Sequence, residues 1–355
     1  MSTTGEETSF STQEAELANL ISAAPFGREA LAWKARLFTE PEFVETRIVP
    51  LMHLKPNGHG IDYSTKVVQN TGTGRLTLRY DFGSENIVYA KLYIDDLGSR
   101  CHEVNCALWD AGFNANGRYR VPQPVGFLAD HNVLLMRCVP GAPLGAAFDG
   151  NASVDLAAGS REAAKWLAVL HRSSLKTGTP DSDWDSLKLF RMAGRLIKAA
   201  AACPEKLDMV RELMDKIEKR ITSLPVRREF LFTHGRYHHD HVFLGANVTA
   251  VIDLDRCRPS DPAKDAAEFV RVLRLTAFKE GFDMNRADEA TTAFLSTYLA
   301  EIPEAAASLG CYWAAYVFHS LLGCLKKRRA KGNRSWEELI DFYVSEIGRA
   351  LDYPR

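Results

Sequence analysis

The stretch THGRYHHDHVFL, residues 233–244, gathers four of the chain's ten histidines (His234, His238, His239, His241) around Asp240. Imidazole and carboxylate at this density can ligate a metal, move a proton or hold a loop together. Shortly downstream, VIDLD carries Asp253 and Asp255 in a run otherwise apolar (Val251, Ile252, Leu254). HVFLGANVTAVIDLD reads as a hairpin turning near Gly-Ala-Asn, which sets Asp253 opposite Asp240 or His241. Two apart, Asp253 and Asp255 are expected to share a strand face. A carboxylate in so apolar a strand needs a cation or donated hydrogen bonds. An Asp capping the following loop meets that need; with His241 opposite, so does a divalent-ion site. A catalytic zinc helix would place two histidines at i, i+4 with Glu between them. Gly235 and the β-rich sequence after Val242 oppose a helix, and the adjacent His238 and His239 point apart in extended chain. A structural cluster, with the histidines bonded to neighbouring backbone, is the other reading.

These residues have to be positioned by their surroundings. Residues 1–12 read as disordered, and Glu14 to about Phe38 as one or two short helices. YSTKVVQN, RLTLRYDF and IVYAKLYI then form three strands separated by the turn-rich TGTG and GSEN. SRCHEVNCALWDAG is a helix: Val104, Ala107 and Leu108 lie at i, i+3, i+4, and Gly112 closes it. VPQPVGFLADHNVLLMRCVPGAPL adds two strands around Asp130-His131-Asn132, completing a small α+β lobe that ends near Leu144. From about residue 155 the chain is helical, as in REAAKWLAVLH and EKLDMVRELMDKIEKRI, interrupted by strands only around the histidine-rich stretch. The boundaries expected are 1–59 for tail and helices, 60–144 for the β-rich lobe and 145–355 for the helical lobe.

At 355 residues the chain suits two lobes, each able to bury a core. A net charge of −1 gives no electrostatic ground for bulk binding to nucleic acid or membrane, and neither is expected as a partner. The polar, acidic start MSTTGEETSFSTQEAE is unlike a signal peptide, and no apolar run approaches the roughly 20 residues that span a bilayer. Seven scattered cysteines without a CxxC pair fit a reducing compartment, so a cytoplasmic protein is expected. The basic run KKRRAKGNR, residues 326–334, follows an apolar helix; it reads as a solvated helix end or as a site for an acidic substrate or partner.

YAKLY, HEVNCALW, LLMRCVPGAPL, AVLH, THGRYHHDHVFL, VIDLD and SDPAKDAAEF, in this order over about residues 60–345, resemble the aminoglycoside phosphotransferase and choline kinase group of protein-kinase-like enzymes. The resemblance implies an α+β, protein-kinase-like fold of two lobes, mainly β at the N-terminus and mainly α at the C-terminus. It also implies ATP and Mg²⁺ as cofactors and a small-molecule substrate. Lys91 resembles the lysine on the α/β-phosphates, and Glu103 its ion-pair partner. Gly72 and Gly74 lie in the turn expected to cover the phosphates, and Met136–Cys138 resemble the hinge that bonds adenine. Asp253 matches the Mg²⁺-binding aspartate, and Asp261 and Asp265 match acidic positions that cap and orient the following helix.

The departure lies in the histidine-rich loop. The family pattern is H-G-D-x-H-x-x-N, with Gln in some members in place of Asn. Here His234, Gly235 and His238 match, but the catalytic aspartate position is Arg236 and the metal-binding Asn position is His241. Arginine stays protonated and accepts no proton, whereas imidazole ligates metals, though Mg²⁺ prefers oxygen. Phosphoryl transfer depends mainly on positioning and charge neutralisation. Arg236 could therefore stabilise the transferring phosphoryl while His238 or Asp240 takes the proton. The implied function is an ATP- and Mg²⁺-dependent phosphotransferase acting on a hydroxyl- or amine-bearing metabolite or antibiotic. The alternatives are a catalytically silent ATP-binding module that regulates a partner, kept open by Arg236, and a nucleotidyl transferase holding its nucleotide reversed.

Overall fold

In the computed structural model, the residues described are 28–54, 61–70, 74–83, 86–148, 154–180, 187–224, 230–328 and 331–353. They form two compact units, residues 1–139 and 140–355. Gly72, the N-terminal tail and the first part of the expected N-terminal helices lie outside the described residues.

The first unit is built on a five-stranded antiparallel sheet in the order β1-β2-β3-β5-β4: β1 Ser64–Asn70, β2 Arg75–Asp81, β3 Ile87–Tyr93, β4 Pro124–Leu128 and β5 Val133–Arg137. Alternation decides its faces. Leu76, Leu78 and Tyr80 of β2 and Val88, Ala90 and Leu92 of β3 are buried on one side. An N-terminal helical segment covers that side: α1 Arg28–Leu37, then a run of turns from Pro41 to Met52 that brings in Val44, Ile48 and Met52. Tyr80 donates its hydroxyl proton to the Phe38 carbonyl at 2.5 Å, fastening the segment to the sheet. The turns after Pro41 were not foreseen, since a three-residue helix running into π and 3₁₀ turns has no single period to read. On the other side, α2 Leu97–Asp110 packs Cys101 against Tyr93 and Leu134, and its end is followed by Gly112 at φ +100°.

The second unit begins before the β-rich sequence is finished. Ala142–Pro143 (β6) pairs with Val242–Leu244 (β8), so this short segment is structurally part of the helical unit. The helices are α3 Leu156–Arg172, α4 Leu187–Ala202, α5 Leu207–Thr222, α6 Ala263–Lys279, α7 Met284–Glu301, α8 Ala306–Lys327 and α9 Trp336–Leu351. The segment Pro303–Lys327 is, by length and composition, long and apolar enough to cross a bilayer, contrary to the expectation that no run approaches this. Within the unit 72% of its most apolar stretch is buried, and α8 packs on α6 and α9 as a central core helix.

The basic run that follows this helix reaches the ends of its neighbours. Arg328, in the left-handed region at φ 42°, donates to the Ala202 carbonyl at 3.1 Å and pairs with Glu205. Arg334 donates to the Phe278 carbonyl at the end of α6 at 2.8 Å. Both guanidinium groups reach carbonyls at helix C-terminal ends, where cations are favoured.

Candidate active site

The histidine-rich loop is held by a buried carboxylate. β7 Leu231–Thr233 pairs with β10 Arg258–Ser260 and delivers the chain to His234. The backbone N–H groups of His234 and Gly235 donate to Asp265 at 2.7 and 2.8 Å. Asp265 sits in the first turn of α6, 1% exposed, and also lies 3.1 Å from His171 Nε2 at the end of α3. His171 Nδ1 in turn meets the Tyr298 hydroxyl at 2.9 Å. Burial alone would push the Asp265 carboxyl up; the contacts with His171 and the loop N–H groups outweigh it and hold it below its ordinary value. Asp261 caps as expected, accepting from Ala263 N at 3.0 Å. Asp265 is turned to the loop instead.

The remaining loop contacts follow from local geometry. Gly235 has φ +77°, and a Cβ there would run into the Arg256 carbonyl, so the sharp turn needs glycine. His234 Nε2 lies 3.0 Å from the Ile252 carbonyl, which fixes the proton on that nitrogen. Tyr237 is fully buried, stacked on Trp166 and Phe269, with its hydroxyl donating to the Ala163 carbonyl at 2.7 Å. Neighbours on either side of Arg236 are thus fastened, and the Arg236 side chain is left 46% exposed.

The hairpin forms with β8 against β9 Thr249–Val251, Val251 facing Val242. One further backbone bond, from Ile252 N–H to the His241 carbonyl at 3.0 Å, ends the ladder. Asp253 takes a left-handed conformation, φ 65° and ψ 56°, and Leu254–Arg256 coils into a 3₁₀ turn. Asp253 and Asp255 therefore do not share a strand face as expected; a short polar residue tolerates this conformation and turns the chain out of the sheet. His241 does meet Asp253, with Nε2 3.5 Å from Oδ2. Arg236 Nη1 approaches the same oxygen at 3.6 Å. His241 Nδ1 lies 3.0 Å from the Arg236 carbonyl, so it carries the proton and Nε2 presents its lone pair toward Asp253.

His238 stacks on His241 with ring centroids 3.6 Å apart. Burial lowers both imidazoles, His238 to about 2 with the His241 charge adding to the effect, and His241 to about 3 despite the opposing pull of Asp253. Both are neutral at ordinary pH. His239 is buried edge-on to Phe148 and lowered by burial. Asp240 lies between the rings, 3.4 Å from His239 Nε2 and 3.6 Å from His238 Nδ1, with its side chain 61% exposed.

Mg²⁺ asks for oxygen ligands in an octahedron at about 2.1 Å. Beside the Asp253 carboxylate stand the His241 imidazole nitrogen and, at the same carboxylate oxygen, the Arg236 guanidinium. Among the described residues no group of three or more His, Cys, Asp and Glu is arranged to hold a metal. One carboxylate leaves most of that octahedron to phosphate oxygens and water, and the guanidinium at the same carboxylate oxygen competes with an ion there.

In the first unit, Lys91 is buried on β3, opposite Thr77 and Leu134, with its ammonium 5.9 Å from the Tyr93 ring. Glu103 is exposed on α2, beside His102. Met136 is half-buried at the end of β5. The Cys138 N–H donates to the Ile87 carbonyl at 2.9 Å, extending the β3–β5 pairing. Gly74 has φ +85°, and a Cβ there would collide with Ile94. The link from Asp265 to His171 and the anchoring of Tyr237 were missed in the sequence. A buried Asp in AKDAAEF signals a partner, but nothing in the sequence says which.

Residues 53–306 match the phosphotransferase enzyme family. No curated protein sequence matches the chain. Among solved structures, the chain is similar to a choline/ethanolamine kinase family protein from Mesorhizobium loti, at 14% identity and TM-score 0.51 over 90% of this chain and 94% of that one. It is similar to spectinomycin phosphotransferase in complex with ADP and spectinomycin, at 16% identity and TM-score 0.54 over 82% and 94%. It is also similar to amicoumacin kinase bound to AMP-PNP and Ca²⁺, at 12% identity and TM-score 0.56 over 89% and 95%. These likenesses show a protein-kinase-like α+β fold. With its loop framework and its family match taken together, the chain belongs to the phosphotransferase enzyme family.

Proposed function

We propose that the protein transfers the γ-phosphoryl group of ATP to a hydroxyl or amine of a small molecule. The observation that carries this reading is the grip of Asp265 on His234 and Gly235, which presents a rigid loop bearing Arg236, Asp240 and His241 beside Asp253. In this reading Lys91 neutralises the α/β-phosphates and Arg236 stabilises charge on the transferring phosphoryl. Asp240 takes the acceptor's proton as the new P–O or P–N bond forms and the bond to the β-phosphate breaks, releasing ADP. Burial leaves the His238 imidazole with little affinity for a proton, which weakens it as a base. The acceptor is a metabolite or antibiotic in the cytoplasm.

Arg236 in place of the catalytic acid favours a second reading, a silent ATP-binding module. A screen of metabolites and antibiotics for ADP release separates the two. Acceptor-dependent ADP release supports transfer, whereas an ATP-induced rise in melting temperature without turnover on any acceptor supports the silent module.

A further inference from the structure

The geometry points to Arg236 as a built-in cation at Asp253, so that this chain binds its nucleotide without a divalent ion. Two acceptors converge there. His241 has its proton on Nδ1, directed at the Arg236 carbonyl 3.0 Å away, so the lone pair of Nε2 faces Asp253 Oδ2 at 3.5 Å. A carboxylate largely withdrawn from water calls for a positive group beside it. The guanidinium of Arg236 supplies one, with Nη1 3.6 Å from the same Oδ2. The whole device lies within one loop and one hairpin. Asp265 and Tyr237 fasten the backbone around Arg236, and the ladder from Val242–Val251 carries the chain to His241 and Asp253.

A metal ligated through Asp253 Oδ2 would share that oxygen with the guanidinium 3.6 Å from it, like charge against like. The same guanidinium carries five N–H donors in a fixed fork suited to phosphate oxygens, and nearly half its surface is exposed to receive them. One residue thus neutralises the aspartate and offers the phosphates N–H donors, with one unit less of positive charge than a divalent ion on the same carboxylate.

The inference rests on the nucleotide-binding reading above. The test is titration of ATP into the full chain by calorimetry, in EDTA and in millimolar Mg²⁺, for wild type, Arg236→Lys and Arg236→Ala. Wild-type affinity should agree within about threefold between the two buffers. Arg236→Ala should lose about tenfold or more in EDTA and recover part of it in Mg²⁺, while Arg236→Lys keeps most of the EDTA affinity. An unchanged urea midpoint for both variants shows that folding is not the cause. Wild-type binding that needs Mg²⁺, or an Arg236→Ala protein that binds as well as wild type in EDTA, overturns the built-in cation and leaves the nucleotide reading standing. No ATP binding by folded wild type in either buffer overturns the nucleotide reading, and this inference with it.

Discussion

Asp265→Asn removes one charge and one acceptor from the centre of the loop framework. The carboxylate receives His234 N–H on Oδ2 and Gly235 N–H on Oδ1, at 2.7 and 2.8 Å, with His171 Nε2 at 3.1 Å, all in a site that is 1% exposed. An amide of the same shape offers only one oxygen, so one loop N–H must face the new NH₂ group. An orphaned buried N–H costs about 1–3 kcal/mol, and a hydrogen bond to a charged group contributes about 1.5–3 kcal/mol. The two terms describe overlapping losses, which sets the expected destabilisation at about 1.5–3 kcal/mol. Urea unfolding followed by tryptophan fluorescence measures it as a fall in midpoint at unchanged slope. His171→Gln combined with Asp265→Asn should cost less than the sum of the single changes by about 1 kcal/mol or more. A loss below about 1 kcal/mol for Asp265→Asn, or strict additivity with His171→Gln, would refute the view that this carboxylate holds the loop.

Stability should also fall on mild acidification. His238 and His241 are lowered to about 2 and about 3 in the folded chain, below the roughly 6.5 of an unfolded histidine. Protonation therefore favours the unfolded state: stability is intact above about pH 6.5 and is lost as pH falls toward 3, at roughly 1.4 kcal/mol per pH unit per histidine. Urea midpoints that stay level from pH 7 to pH 5 would contradict the burial of these rings. Lys91→Ala should weaken ATP binding, and since Glu103 is exposed, a double-mutant cycle with Glu103→Ala should give a coupling of about 0.5 kcal/mol or less. A coupling above about 1.5 kcal/mol would mean that the pair closes when nucleotide binds. Asp240→Asn should lower kcat by about 10²-fold on an identified acceptor while ATP affinity holds; full activity would remove Asp240 as the base.

Local pattern was legible where one period governs a segment. The alternation of Leu76, Leu78 and Tyr80 marked β2, and the 3.6-residue spacing of Val104 and Leu108 marked α2, because burial on one face is a property of consecutive residues. The order of motifs, read by resemblance, also carried the family and the fold. What the hairpin would do at Asp253 was not legible. Strand periodicity carries through VIDLD without a break, and only the packed chain puts φ 65° at Asp253 and ends the ladder at Ile252. The apolar helix Ala306–Lys327 likewise became a core helix only through the helices packed around it. The partners of the site are the clearest case. His171 reaches Asp265 across 94 residues, and Arg236 reaches Asp253 across a hairpin. Neither pairing leaves a spacing in the sequence, because both arise where separate elements close on one another.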